Sequence, residues 1–417
     1  MPKITSINER LVFNSRGDKT IEVDVISDNH YIGRACAPSG ASVGIYEAQS
    51  FIDNNPKKTI EKFKTIKKKF VGLESDNLKT IDDALKSLDN TSNYSNIGGS
   101  IAYALTIASI DSASKSLNLP FYKVLNPKID KINFPFPLGN MIGGGAHAGS
   151  GTPDLQEYLV CPIGAKSIFD ALEMNSKIHK ELKKELDKVD PKFTGGKGDE
   201  GAWAPNIDND KAIETLEKSA RNCGYDLKKD VRLGIDFASS SLWNPEKKVY
   251  EYNRHGKIRD SIAQLEYADY LIKQYNLIYA EDPVNEEDFD GMSKLTMNNT
   301  HCLVTGDDLL VTNKERVKVA IKKQSCSGAI LKVNQAGSLY DSILFAKECN
   351  DNNIRIITSH RSGESIDNHI SHIAIATNSV MLKSGVVGGE RISKLNELLR
   401  ISEYGLIEGM AKWSNIS

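Results

Sequence analysis

The chain has 417 residues, of which 40% are hydrophobic and 26% charged, an ordinary balance for a soluble globular protein. That length exceeds one small domain and favours two, or one large barrel with an appendage. Lys and Arg number 53 against 55 Asp and Glu, for a net charge of -2; this argues against a dedicated nucleic-acid binder but leaves room for a small anionic ligand held by local cations.

The six cysteines, Cys36, Cys161, Cys223, Cys302, Cys326 and Cys349, form no Cys-x-x-Cys pair. A structural zinc is therefore disfavoured, and reduced thiols in the cytoplasm are expected. Met1-Pro2-Lys3-Ile4-Thr5-Ser6 lacks an apolar signal core, and no apolar run approaches the ~20 residues that span a bilayer.

Ile4 to Val25 reads as a β-hairpin. Thr20-Ile21-Glu22-Val23-Asp24-Val25 alternates, and Ser15-Arg16-Gly17-Asp18 supplies the turn. A further strand is expected over Tyr31 to Cys36. The small residues of Ala37 to Gly44 suit either a flexible surface loop or a lid over a ligand. Lys57 to Leu88 is expected as one lysine-rich helix with a solvated face, and Ile97 to Leu117 as a second helix with a small-residue face. A domain boundary is expected between Pro127 and Phe134, giving an N-terminal α+β domain over residues 1–127 and a catalytic domain over 128–417.

Beyond it, Phe134 to Met141 begins an apolar run that leads into Gly143-Gly144-Gly145-Ala146-His147. The glycines fit neither nucleotide-binding fingerprint, and His147 is open to a structural or a catalytic reading. Gln156-Glu157-Tyr158-Leu159-Val160 puts a carboxylate at a strand edge. Ile168 to Val189 is amphipathic and helical. Gly198-Asp199-Glu200-Gly201 places two acids in a glycine-rich loop, where exposure is the usual fate.

From Val231 a repeated design appears. Short apolar strands end in Asp236, Glu281, Asp307, Lys332, His360-Arg361 and Lys383, and helical patterns separate them. Strands alternating with helices mean a parallel sheet. Six such units, with earlier strands near Leu138 and Leu159, fit an eight-stranded barrel, whose C-terminal strand ends build the active site. One ionisable strand end is noise; six in succession point to a shared cavity.

Asp236, Glu281 and Asp307 are hard oxygen ligands suited to Mg²⁺, and nearly as well to Mn²⁺. Lys332 sits within Ala329-Ile330-Leu331-Lys332-Val333, where an unpaired ammonium is costly. Near other cations and partly desolvated, it is expected to have a lowered pKa and to act as a neutral base. Lysine plus metal suits proton abstraction beside a carboxylate. Arg361 and Ser362 make donors fit for a phosphate.

Taken together the motifs resemble the enolase family, over nearly the whole chain. They include Ser15-Arg16-Gly17, Pro38-Ser39-Gly40-Ala41-Ser42, His147-Ala148-Gly149, Leu155-Gln156-Glu157, Gly198-Asp199-Glu200-Gly201 and Ala204-Pro205-Asn206. The most specific are Leu331-Lys332-Val333-Asn334-Gln335 and Ser359-His360-Arg361-Ser362-Gly363-Glu364, and Lys394 to Ile401 extends the match. A lysine base with Mg²⁺ is the general pattern of the enolase superfamily.

The resemblance implies an irregular (β/α)8 TIM-type barrel opening β-β-α-α, behind a smaller α+β domain. It implies dehydration of 2-phosphoglycerate to phosphoenolpyruvate. Lys332 would remove the C2 proton, Glu200 would help the C3 hydroxyl leave, and Glu157 would assist. Asp236, Glu281 and Asp307 would hold one Mg²⁺, and Ser39 would help bind a second when the lid closes. Lys383 would contact the substrate carboxylate, Arg361 and Ser362 the phosphate, with His147 and His360 lining the site. A homodimer or an octamer of dimers is implied, in the cytoplasm, and family resemblance alone allows a surface or secreted fraction.

The chain departs from the family pattern in four places. Ala202-Trp203 replaces Gly-Phe, Val43 replaces threonine, the segment from His147 to Glu157 is one residue longer, and Gly385 to Arg391 is short in the manner of archaeal members. Two competitors stand beside this reading. A racemase or cycloisomerase of the same superfamily would carry a Lys-x-Lys pair near Leu159, which is lacking, and a binding or structural paralogue would not need Glu157, Glu200, Lys332 and Lys383 intact.

Overall fold

The computed structural model describes residues 1–40, 44, 46–254 and 256–412. Ala41, Ser42 and Val43 of the expected lid lie outside the described residues. No described helix is long and apolar enough to cross a membrane.

The chain opens with an antiparallel meander, β1 (Ile4–Phe13), β2 (Lys19–Ser27) and β3 (Tyr31–Cys36). Pairs such as Ile7↔Val25 and Leu11↔Ile21 set its register. In the turn, the Asn14 carboxamide accepts the amides of Arg16 and Asp18 at 2.9 and 3.0 Å, an Asx-type closure. Ile4, Ile7, Ile21, Val23 and Val25 are buried. The helix Gly99–Leu117 packs so closely on β3 that a Cβ on Gly33 would lie 2.0 Å from the Ala108 carbonyl, so only glycine fits there.

The single helix expected over Lys57 to Leu88 is two, Pro56–Ile66 and Leu78–Asp89. A 3₁₀ turn at Lys67–Phe70 tucks Phe70 beside Phe63 in the core. Gly72 then takes a left-handed φ of 91° and Asn77 caps the second helix. Gly, Ser, Asp and Asn within six residues break the helix for the usual reasons of backbone freedom and local side-chain bonding.

Next come β4 (Ile132–Phe134), β5 (Phe136–Gly143), β6 (Glu157–Cys161) and β7 (Arg232–Asp236). A small sheet follows, β8 (Trp243–Asn244), β9 (Val249–Tyr252) and β10 (Lys257–Arg259). The chain continues with β11 (Tyr279–Glu281), β12 (Leu303–Gly306), β13 (Gly328–Leu331), β14 (Arg355–Ser359), β15 (Met381–Gly385) and β16 (Ile407–Met410). Eight of these close a barrel in the order β5-β6-β7-β11-β12-β13-β14-β15. Leu138, Leu159, Tyr279, Leu303, Ile330, Ile357 and Met381 are buried in one cluster that the barrel strands share.

The barrel is not uniformly parallel. β6 runs antiparallel to both β5 and β7, because a loop rather than a crossover helix joins β5 to β6. Two helices, Ile168–Val189 and Asn209–Asn222, then follow in series. This is the β-β-α-α opening that the family resemblance implied and strand–helix alternation did not. Its consequence is chemical: a reversed strand begins where its neighbours end. Glu157, the first residue of β6, pairs with Asp236, the last of β7, and so stands at the same mouth.

The N-terminal meander reaches across that mouth. Ser15 Oγ donates to the Ser362 carbonyl at 3.3 Å and accepts the Glu364 amide at 3.1 Å.

Candidate active site

A cavity of about 260 Å³ opens at the barrel mouth, and Glu157, Glu200, Asp236, Lys332, Arg361 and Lys383 are among its lining residues. At its floor stands Lys383, 2% exposed. Its ammonium lies 2.8 Å from Glu157 Oε2 and 2.9 Å from Asp236 Oδ2, and it pairs with Glu281 Oε2 as well. Tyr279 donates its hydroxyl to the same Glu281 oxygen at 2.6 Å. Burial, followed by the Asp236 charge, pushes Glu281 well above the carboxylate range. Burial opposes the Lys383 ammonium, yet the carboxylates raise its pKa well above the ordinary lysine value.

Lys332, at the end of β13, has a different setting. Its ammonium pairs with Asp307 Oδ2 alone among the described carboxylates. Asp307 Oδ1 accepts from Gln335 at 3.0 Å. Thr312 completes the frame: its hydroxyl accepts the Lys332 amide and donates to Gln335 Oε1, both at 2.9 Å. Burial is the largest single influence on Lys332 and lowers its pKa, but the charges of Asp307 and then Glu281 oppose it, and the net shift is upward. This is opposite in direction to the lowered pKa expected from the sequence, which grouped Asp307 with Lys332 at one mouth but did not show that the two pair directly.

A third group gathers His147, Glu157 and Glu200, with ligand atoms within 4.8 Å of one another. His147 Nδ1 lies 3.2 Å from Glu157 and 3.7 Å from Glu200. Asn140 donates to Glu200 Oε2 at 3.1 Å, and His360 Nε2 lies 3.0 Å from that oxygen. Burial and the neighbouring Glu200 raise Glu157. Burial works against a charged Glu200 too, but His360 and His147 hold it well below the usual range. Such a pair shares one proton, with Glu157 keeping it. Burial draws His147 down, yet the two carboxylates lift it to about 9; burial dominates at His360, which falls to about 4.

On the remaining side, Arg361 is 6% exposed and donates to Asn334 at 3.1 Å and Glu47 at 3.4 Å. Ser362 Oγ is buried and has no hydrogen-bond partner among the described residues. Ser39 pairs backbone to backbone with Gly363 at 2.8 and 2.9 Å, while Asn14 donates to its hydroxyl at 2.8 Å.

The structure therefore brings every named site residue to one mouth or its rim, but divides the expected metal triad. Asp236 and Glu281 group with Glu157, whereas Asp307 groups with Asp282 and Asp308. The donor set suits a hard divalent cation, being all oxygen. Glu281 Oε1 supports this, as a buried oxygen with no hydrogen-bond partner among the described residues.

Sequence reasoning missed several contributors. Asn140 carried a signal, a polar residue inside an apolar run. Asp282, which accepts the Asp307 and Asp308 amides at 3.0 and 2.7 Å, sat unranked beside Glu281. Trp203 stacks on His179 with ring centroids 4.7 Å apart and donates to the His179 carbonyl at 3.0 Å. The larger ring is thus housed beside Glu200, which stays buried.

Fold and mouth together define a barrel lyase built on acidic, metal-type side chains and lysines. Residues 131–413 match the family model "Enolase, C-terminal TIM barrel domain" and residues 4–125 match "Enolase, N-terminal domain". The enolase of Methanosphaera stadtmanae is 43% identical, over 98% of this chain and 99% of its own length. That of Methanothermobacter thermautotrophicus is 40% identical, over 96% of each chain. The enolase of Archaeoglobus fulgidus is also 40% identical, over 96% of this chain and 97% of its own. The chain belongs to the enolase family, the phosphopyruvate hydratases of glycolysis. Membership implies a divalent metal, and the acidic groups at the mouth can hold one.

Proposed function

We propose that this protein dehydrates 2-phosphoglycerate reversibly to phosphoenolpyruvate. Lys332 takes the C2 proton, and the C2 electron pair becomes the C2=C3 double bond. The C3 hydroxyl leaves as water with a proton delivered by Glu200 and stored on Glu157. The observation that supports this most is that Lys332 and the Glu157–Glu200 pair line one cavity. One group is a base and the other holds a shared proton, as loss of water requires.

Arg361 and Ser362 take the phosphate, Lys383 meets the substrate carboxylate, and His147 and His360 hold the carboxyl pair. Asp236, Glu281 and Asp307 would hold one Mg²⁺, and Ser39 would join a second once substrate is bound. A divalent cation there supplies counter-charge to the substrate carboxylate and to Asp307, the group that otherwise keeps Lys332 protonated. We further propose domains over 1–127 and 128–417, a homodimer or octamer of dimers, and a cytoplasmic location.

The test is phosphoenolpyruvate formation followed by ultraviolet absorbance, with 2-phosphoglycerate and saturating Mg²⁺. Turnover is expected, with loss on chelation and recovery on adding Mg²⁺. Folded protein that gives no absorbance change would overturn the reading and leave a binding or structural role.

A further inference from the structure

Arg391 is wholly buried. It lies in the first turn of the helix Gly389–Tyr404, where an arginine ordinarily reaches water. A buried guanidinium is expensive unless its donors are used; Nε lies 3.4 Å from Glu390 Oε1, and the two Nη atoms converge on the mouth. Nη1 lies 3.0 Å from His360 Nδ1 and donates to the Arg361 carbonyl at 2.5 Å. Nη2 donates to the Ser362 carbonyl at 2.7 Å and to the Asp199 carbonyl at 2.8 Å.

Arginine has no acceptor, so His360 Nδ1 must accept. The Gly385 amide points at the same nitrogen at 3.4 Å. Two donors on Nδ1 leave the ring proton on Nε2, the atom 3.0 Å from Glu200 Oε2. The guanidinium also joins the loop that carries Glu200 to the loop that carries Arg361 and Ser362. The Glu200 loop also presses on the end of β15: a Cβ on Gly385 would lie 1.9 Å from the Glu200 carbonyl.

We propose that Arg391 is a positioning residue for the dehydration step. It fixes His360 as the Nε2–H tautomer facing Glu200, and it sets the spacing between Glu200 and the phosphate-side residues Arg361 and Ser362. This rests on the reading of Glu200 as the group that delivers the proton. It leaves Lys332 untouched, so proton removal at C2 and loss of the C3 hydroxyl separate when Arg391 is changed. Lysine cannot replace it, having no planar fork to serve two loops and a ring nitrogen at once.

The test uses the full chain with Mg²⁺ and three readouts. Nitrogen-15 NMR of histidine-labelled wild type is expected to show His360 as the neutral Nε2–H tautomer. In Arg391→Ala and Arg391→Lys, phosphoenolpyruvate formation is expected to fall ~10²-fold, while exchange of the C2 proton with deuterium stays within about threefold. Added guanidinium is expected to restore part of the Arg391→Ala loss. A wild-type His360 carrying its proton on Nδ1 overturns the proposal, and that measurement stands even if both variants fail to fold. Folded variants in which exchange and dehydration fall equally, or not at all, overturn it too. Wild type that neither exchanges nor dehydrates sinks the reading of the activity instead, and the His360 tautomer then still decides the geometry.

Discussion

Two lysines stand at the mouth, and their surroundings differ in one respect that matters. Lys383 faces three carboxylates, Glu157, Asp236 and Glu281, with its side chain 3% exposed. Lys332 faces one, Asp307, with its side chain 14% exposed. Both are raised above the ordinary lysine value against burial, Lys332 chiefly by Asp307 and Lys383 chiefly by Asp236 and Glu157, with Glu281 adding to each. Neutralising Asp307 removes the largest charge that holds the Lys332 proton, whereas Lys383 keeps a close set of carboxyl partners whichever one is neutralised. A base must be releasable, and a fixed cation must not be. The same residue type thus serves two ends through the count of its partners.

Replacing each lysine in turn tests that contrast. Lys332→Ala should show the largest effect, a loss of ~10³-fold or more in both C2 exchange and phosphoenolpyruvate formation, consistent with removal of a general base. Retention of C2 exchange at the wild-type rate would reassign the base. Lys383→Met should instead act on folding. Removing the shared ammonium leaves the buried carboxyl groups of Glu157, Asp236 and Glu281 without their counter-charge, a loss of ~3–5 kcal/mol in denaturant unfolding at neutral pH. The sign with pH is defined: Glu157 and Glu281, raised in the folded state, take up protons on folding, so the deficit is greatest above neutrality and shrinks towards pH 4.5. Mg²⁺ should recover part of it by mass action on the native state. Equal stability losses from the two lysines would erase the contrast.

Much of this was legible in the sequence, for a definite reason. A barrel delivers every strand's C-terminal end to one mouth, so Asp236, Glu281, Asp307, Lys332, His360 and Lys383 could be grouped without coordinates. What stayed hidden depended on direction or on partners far along the chain. Nothing in Glu157-Tyr158-Leu159-Val160-Cys161 states that the strand runs backwards; the loop before it decides that. Lys332 was expected to be lowered by nearby cations and partial desolvation, while its direct pairing with Asp307 raises it. Arg391 entered the sequence reading only as the end of the short segment from Gly385, and only tertiary packing turns it inward. The partition of the three acidic ligands between two lysines has no signature in spacing at all.

The smallest expected effect concerns the two histidines that flank one carboxyl pair and shift in opposite senses. His147 is raised to about 9, so it is charged in the native state where an unfolded histidine, near 6.5, is not. Its contribution to stability is complete below pH ~6.5 and is lost as pH climbs through 9. His360 is lowered to about 4, so the unfolded chain binds its proton first on acidification, and stability is lost as pH falls from ~6.5 to 4. Each shift corresponds to at most about 3 kcal/mol. His147→Gln should therefore flatten the alkaline side of the stability–pH curve and leave the acid side, while His360→Gln should do the reverse. The same nitrogen-15 spectra should show His147 titrating near pH 9 and His360 neutral from pH 5 to 8. Two histidines titrating together near pH 6.5 would mean that the carboxylates do not raise His147 and burial does not lower His360.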